Sequence, residues 1–219
     1  MRAETGSSSH APSPADRRLY LVTPVRVDLE DFLEAAIRGG VDIVQVRERD
    51  LTDGELLRAL EGVRAVTHRL GVPLVVNDRP DLAVLCGADF VHVGQDDLPA
   101  RDVRALMGPR ALIGVSAATV EEGVAAEREG ADYLGVGAIY ATGTKPDAGA
   151  PVGLDRLREI GRAVRLPLVG IGGITADNAA AVIRAGASGV AVITAVTLAE
   201  DMTAAARRLR EEVDAAISR

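Results

Sequence analysis

At 219 residues the chain is long enough for one sizeable core and short for two ordinary domains. Its 47% hydrophobic and 26% charged content rules out wholesale disorder, and 2% aromatics argues against a nucleic-acid reader built on base stacking. A net charge of −7 argues against a polyphosphate partner, so no nucleic acid is expected, yet it leaves room for a local cationic pocket taking a small anion. One cysteine, Cys86, excludes an internal disulfide framework and a Cys-based zinc site, and it reads as a small buried hydrophobe. No apolar run reaches the ~18 residues of a membrane span, and the N-terminus lacks an apolar signal core. The expectation is a cytoplasmic protein with no membrane partner.

Residues 1–17 are rich in Ser, Pro and Ala without periodicity and read as a disordered tail preceding a single domain over 18–219. From there short β-branched runs alternate with stretches of helical periodicity. In chain order the pairs are strand Leu19–Val22 with helix Leu29–Ala36, Asp42–Val46 with Asp53–Leu70, Pro73–Val76 with Asp81–Cys86, and Phe90–Val93 with Arg101–Met107. The second half continues with Ala111–Val115 and Val120–Glu129, Tyr133–Ile139 and Leu154–Val164, Pro167–Ile171 and Ala176–Ala185, then Gly189–Ile193 and Ala199–Ile217.

Local signals support the helices. Thr52 with Glu55 and Thr119 with Glu122 have capping-box spacing, and Gly71, Gly87, Gly108, Gly130 and Gly186 stand just past helix ends. The strand runs VDIVQV, VPLVV and GVAVI are apolar throughout, as expected when both faces are buried. Eight strand–helix units of about 25 residues each predict an α/β fold, a closed (β/α)8 TIM barrel. A doubly wound open sheet is the rival, but its glycine fingerprint is missing after the first strand, which ends in VTPVR.

In such a barrel the catalytic groups gather where strands end and loops begin. Of 25 Lys+Arg residues only Lys145 is a lysine, and there are just two Asn (Asn77, Asn178) and two Gln (Gln45, Gln95). Gln45, Asn77, Gln95 and Lys145 all fall in the strand-end strings QVRER, NDR, GQDD and YATGTKPDAG, so the rare polar residues concentrate at one end.

Asp78 and Asp97 follow neighbouring strands ~4.8 Å apart and can both reach one hard cation, for which an oxygen-only donor set suits Mg2+. The competing reading has them capping helices or pairing with Arg79 and Arg101. Arg47, Arg49 and Lys145 could donate to a pyrophosphate at the same mouth, against a surface-pair reading with Glu48 and Asp50. Gly172–Gly173 and Val192–Ala195 follow the last two strands, the usual phosphate cradle of this fold, where the helix from Thr175 onward would add its positive end. The competing reading is a tight turn needing positive φ, which one glycine would satisfy, so the Gly-Gly pair favours the anion site. GIGGIT is not a dinucleotide fingerprint and GTKP is not a P-loop. His10 and His68 carry no signal, and His92 reads as a satisfied barrel histidine. Two phosphate pockets, a metal site and no evident general base describe chemistry that stabilises a pyrophosphate leaving group.

These strings, in this order, resemble the thiamine-phosphate synthase family, related to the thiazole tautomerases. The motifs are VQVRERDL, VVNDRPDLA, VHVGQDDLP, IGVS, ADYLGVGAIYATGTKPDA, VGIGGIT and GVAVITAV, seven in register over residues 18–217. The resemblance implies a Mg2+-dependent transferase that couples hydroxymethyl-aminopyrimidine diphosphate to thiazole phosphate. The products are thiamine phosphate and pyrophosphate, formed by a dissociative substitution. It implies that Asp78 and Asp97 hold Mg2+, and that Gln45, Arg47, Arg49, Asn77, Ser116 and Lys145 hold the pyrimidine diphosphate. It also implies that Thr142, Thr144, Gly173, Ile193 and Thr194 line the thiazole-phosphate pocket. Arg47, Arg49, Ser116 and Lys145 are the residues implied to act in catalysis. The partners it implies are small phosphorylated heterocycles, and homo-oligomerisation is left open.

Three departures from the family pattern involve four positions. Arg49 stands where Lys is usual, Ala118 where His is frequent, and Ala138 and Ala141 where prolines are common. A tautomerase on the same fold is the nearest alternative, followed by a non-catalytic regulator and a sugar-phosphate isomerase. Ala118 removes the histidine a tautomerase would use.

Overall fold

The computed structural model describes residues 16–143 and 150–218. Most of the expected tail, and Thr144 and Lys145, lie outside the described residues. Eight parallel strands close on themselves in sequence order: β1 (Leu19–Thr23), β2 (Ile43–Val46), β3 (Leu74–Asn77), β4 (Phe90–Val93), β5 (Leu112–Ala117), β6 (Tyr133–Val136), β7 (Leu168–Ile171) and β8 (Gly189–Val192). Pairing of Leu19 with Val190 and Tyr20 with Ala191 joins β8 to β1 and completes the expected barrel. The strands alternate with α1 (Leu29–Arg38), α2 (Asp53–Arg69), α3 (Pro80–Cys86), α4 (Ala100–Met107), α5 (Val120–Arg128), α6 (Gly153–Ala163) and α7 (Ala176–Arg184). After β8 come a single turn, α8 (Thr194–Thr197), and the closing helix α9 (Met202–Ile217). None of the described helices is long and apolar enough to cross a membrane.

The all-apolar strand runs are buried on both faces. Side chains alternate across a strand, so Leu19 and Leu21 pack outward with Phe32, Leu60, Val103 and Leu209 from the helices, while Tyr20 and Val22 point inward. The interior is filled by Tyr20, Ile43, Val75, Phe90, Tyr133, Val169 and Ala191. Toward the strands' C-terminal ends the inward positions become Gln45, Asn77, His92 and Ser116 on β2 to β5, and Gly135, Ile171, Ile193 and Val22 around the rest. One half of the mouth is therefore polar and the other apolar.

The opposite end carries an internal repeat: Gly40-Val41-Asp42, Gly87-Ala88-Asp89, Gly130-Ala131-Asp132 and Gly186-Ala187-Ser188 each precede an even-numbered strand. In all four, the backbone N–H of the third residue donates to the carbonyl of an odd-strand residue: Leu19, Leu74, Ile113 or Leu168. The three aspartates return the bond, accepting from the N–H of Leu19 (3.0 Å), Leu74 (3.0 Å) and Ile113 (2.7 Å). Each also takes an arginine from a helix: Arg210 on Asp42 (3.0 Å), Arg64 on Asp89 (3.5 Å) and Arg104 on Asp132 (2.5 Å). Burial pushes the Asp42 carboxyl up, against the N–H bonds and arginines that pull it down.

Two boundaries differ from expectation. The sixth strand stops at Val136, because the ladder breaks at Gly137–Ala138 before the N–H of Ile139 donates to Ile171 at the end of β7 (2.8 Å) and that of Tyr140 to Gly172 just past it (3.0 Å). The single helix expected over 199–217 begins instead at Met202, where the Asp201 carboxylate accepts the N–H of Ala204 at 2.9 Å and caps it. The capping boxes at Thr52 and Thr119 form, with a third at Thr175 and Asn178, and all five predicted helix-closing glycines have positive φ.

Candidate active site

The C-terminal mouth holds a cavity of about 700 Å³. Gln45, Arg47, Arg49, Asn77, Asp78, Asp97, Ser116, Thr142, Gly173, Ile193 and Thr194 all line it. Apart from Thr144 and Lys145, every residue assigned to the site from sequence is thus brought to one cavity. Ser116 belongs to β5 itself rather than to the loop after it.

Asp78 directly follows β3, where its N–H donates to the carbonyl of His92 at 2.8 Å. Its φ of 60° is a left-handed backbone that Asp and Asn tolerate better than most residues. The Asp97 carboxylate is turned back by the N–H of Gly94 at 2.7 Å. The two carboxyls interact: burial, then the charge and hydrogen bonding of Asp97, push Asp78 up to about 6, against the pull of Arg47 and Arg49. Crowded carboxylates beside cationic groups form a hard-oxygen pair that a divalent cation would relieve. Among the described residues no cluster of three or more His, Cys, Asp or Glu forms a metal site, so water and ligand oxygens would complete the shell.

The plainer roles for these aspartates are taken by others. Arg79 pairs with Asp53 and Asp81 (both 2.6 Å) and Arg101 with Asp102 (3.7 Å), while Arg79 and Pro99 occupy the cap positions of α3 and α4. Glu48, the suggested partner of the site arginines, accepts the backbone N–H groups of Val25 (3.1 Å), Arg49 (2.7 Å) and Asp50 (2.9 Å). Burial acts to raise its pKa, but these three donors outweigh it and hold the carboxyl below the usual range. Arg47 keeps Nη2 buried and without a hydrogen-bond partner. A buried guanidinium nitrogen left in this way is poised for an anion.

Gly172 and Gly173 both have positive φ (97° and 63°). A Cβ on Gly172 would lie 2.6 Å from that of Ala138, and one on Gly173 would lie 2.6 Å from the carbonyl oxygen of Ala141. Turn geometry and close packing against the preceding loop therefore account for both glycines, without appeal to a phosphate. Asn178 reinforces the turn by donating to the Gly173 carbonyl at 3.0 Å.

His92 is satisfied, as expected, but it also lines the cavity: Nε2 lies 2.9 Å from Ser116 Oγ and Nδ1 lies 3.2 Å from Tyr133 Oη. Gln95 donates to the Ser116 carbonyl at 2.5 Å and ties the β4 loop to β5. The sequence reading missed Tyr20, Tyr133 and Glu122 as cavity residues. The inward periodicity of β1 and β6 points to the two tyrosines. The spacing marks Glu122 only as the capping-box partner of Thr119, and its carboxylate holds the N–H groups of Ala118 and Thr119 (2.6 and 3.1 Å).

Residues 19–196 match the family model described as thiamine monophosphate synthase. The chain is 52% identical to the thiamine-phosphate synthase of Moorella thermoacetica over 183 residues, covering 84% of this chain and 87% of that protein. It is also 52% identical to that of Chloroflexus aurantiacus over 199 residues, covering 89% and 92%. Among solved structures, the thiamine phosphate pyrophosphorylase of Pyrococcus furiosus superposes with a TM-score of 0.84 at 33% identity, covering 93% of this chain and 98% of that one.

Proposed function

Because this chain belongs to the thiamine monophosphate synthase family, we propose that it couples hydroxymethyl-aminopyrimidine diphosphate to thiazole phosphate, giving thiamine phosphate and pyrophosphate. The observation that carries the site assignment is the meeting of Asp78, Asp97, Arg47 and Arg49 at one mouth, beside Gln45, Asn77 and Ser116. Asp78 and Asp97 would hold Mg2+, which when bound supplies positive charge to the diphosphate oxygens. Arg47 and Arg49 donate to the same group, with Lys145 assigned there by its motif.

The carbon–oxygen bond between the pyrimidinylmethyl carbon and the diphosphate breaks first, and the electron pair leaves with pyrophosphate. The thiazole nitrogen then offers its lone pair to the resulting cation and forms the new carbon–nitrogen bond. Its nucleophile is a neutral ring nitrogen, so no side chain must remove a proton from it. The cationic groups act instead by stabilising charge that develops on the leaving group. Gln45, Asn77 and Ser116 form the polar side of the cavity and orient the aminopyrimidine. Gly173, Ile193, Thr194 and Thr142 receive the thiazole phosphate against the apolar side, with Thr144 assigned to this substrate by its motif alone.

The tautomerase alternative gains no support. Ala118 lines the cavity without an imidazole, and both ring nitrogens of His92 are already engaged. The test mixes protein, both phosphorylated heterocycles and Mg2+ and measures both products. Equal amounts of thiamine phosphate and pyrophosphate are expected, and none in EDTA. Thiazole isomerisation without coupling would refute the proposal, and undiminished turnover in EDTA would remove the metal.

A further inference from the structure

Below the polar rim, His92 of β4 and Tyr133 of β6 meet inside the barrel across β5, and the reaction as described uses neither. Space for the meeting is cleared by glycines. A Cβ on Gly114 would stand 2.1 Å from the Tyr133 ring and 2.5 Å from His92 Nδ1, and one on Gly135 would stand 2.8 Å from the imidazole. Tyr133 is 2% exposed, and burial pushes its phenol well above the usual range, so the hydroxyl keeps its proton. A buried hydroxyl that fails to donate loses its hydration with nothing in return. With Nδ1 at 3.2 Å, the phenol donates there, and Nδ1 must be the accepting nitrogen. The neutral imidazole then carries its proton on Nε2 and donates it to Ser116 Oγ at 2.9 Å. Ser116 accepts from behind and keeps its own hydrogen for the cavity.

We propose that Tyr133 and His92 are positioning residues that fix Ser116 as a hydrogen-bond donor, so that it meets an accepting ring nitrogen of the aminopyrimidine rather than its amino group. The opposite tautomer would present Ser116 as an acceptor and favour the amino group, so the pair selects which edge of the heterocycle faces β5. This rests on the reading that Ser116 contacts the pyrimidine substrate.

The tautomer is read directly from nitrogen NMR of the histidine-labelled protein. The chain has three histidines, and His92→Gln identifies the relevant signal. A neutral Nε2–H imidazole is expected, and an Nδ1–H form or an imidazolium would overturn the arrangement. Tyr133→Phe is expected to lower kcat/KM for the pyrimidine diphosphate about tenfold, the usual scale for one misdirected hydrogen bond, with thiazole-phosphate affinity unchanged. In a Ser116→Ala background Tyr133→Phe should cost nothing further. His92→Gln, whose amide can stand in for Nε2–H, should retain more activity than His92→Phe. Equal losses toward both substrates, or additive losses for Tyr133→Phe and Ser116→Ala, would refute the positioning role. If Tyr133→Phe does not fold, the tautomer and the Gln–Phe comparison at His92 still decide. Wild-type protein that makes no thiamine phosphate would refute the functional reading and the ligand assigned to Ser116, whereas a wrong tautomer refutes the arrangement alone.

Discussion

Replacing Asp78 with Asn separates stability from activity. Asp78 titrates at about 6 instead of 3.8, first through burial and then through Asp97, so in the metal-free protein its ionised form is disfavoured. A shift of about two units corresponds to roughly 3 kcal/mol as a ceiling, and partial exposure of the group to solvent reduces this to about 1 kcal/mol. The folded-state pKa is raised, so stability from protonated Asp78 is fully present below pH 3.8 and lost as pH rises through about 6. Asn cannot ionise, and it accepts the φ of 60° without new strain. In EDTA at pH 8, Asp78→Asn should therefore melt a few degrees above wild type, about 2–4 °C per kcal/mol at this size, and the gap should close toward pH 4. Mg2+ should raise the melting temperature of wild type but not of the variant, and the variant should form almost no thiamine phosphate. Thermal melts across pH with and without Mg2+, paired with product assays, check both halves. A variant no more stable than wild type at pH 8, or still stabilised by Mg2+, would refute the crowded-carboxylate argument.

Three further outcomes follow from other parts of the molecule. Gly114→Ala drives a methyl into the Tyr133 ring and the His92 imidazole, and chemical denaturation should show a loss of about 1–3 kcal/mol. Asp132→Ala leaves the Ile113 N–H and Arg104 without their carboxylate. It should cost roughly 2 kcal/mol in the same assay with KM values unchanged, since it lies at the pole away from the cavity. Lys145→Ala should slow coupling far more than it weakens thiazole-phosphate binding, measured as kcat against Kd, and equal losses would contradict a leaving-group role.

Most of the barrel was legible because its strands announce themselves twice, as uniformly apolar runs and as partners to capped, periodic helices. The boundaries that escaped were set by contacts distant in sequence. Gly137–Ala138 interrupts β6 where Ile171 approaches, and a Cβ on Gly137 would lie 2.3 Å from that residue's carbonyl. Scarcity located the rim: Gln45 and Asn77 are rare types at strand ends, and both face the cavity. Scarcity also misleads, because Asn178 proves to be part of a helix cap and a turn support. His92 was legible as a satisfied barrel residue, but its link to Ser116 was not. That link depends on strand register bringing β4 and β5 side by side and on glycines whose purpose is emptiness. The Gly-x-Asp repeat was present in the letters, yet only backbone geometry reveals what its aspartates hold.

Those repeated aspartates give the protein a division of labour between its two poles. Strand starts of three neighbouring pairs are laced by carboxylates that bind backbone and guanidinium together, and none of these carboxylates is a group the reaction uses. The side chains of the reacting rim are thereby relieved of part of the structural duty. The rim can keep two acids crowded and one guanidinium nitrogen unsatisfied while carboxylates at the floor help to hold the staves in place.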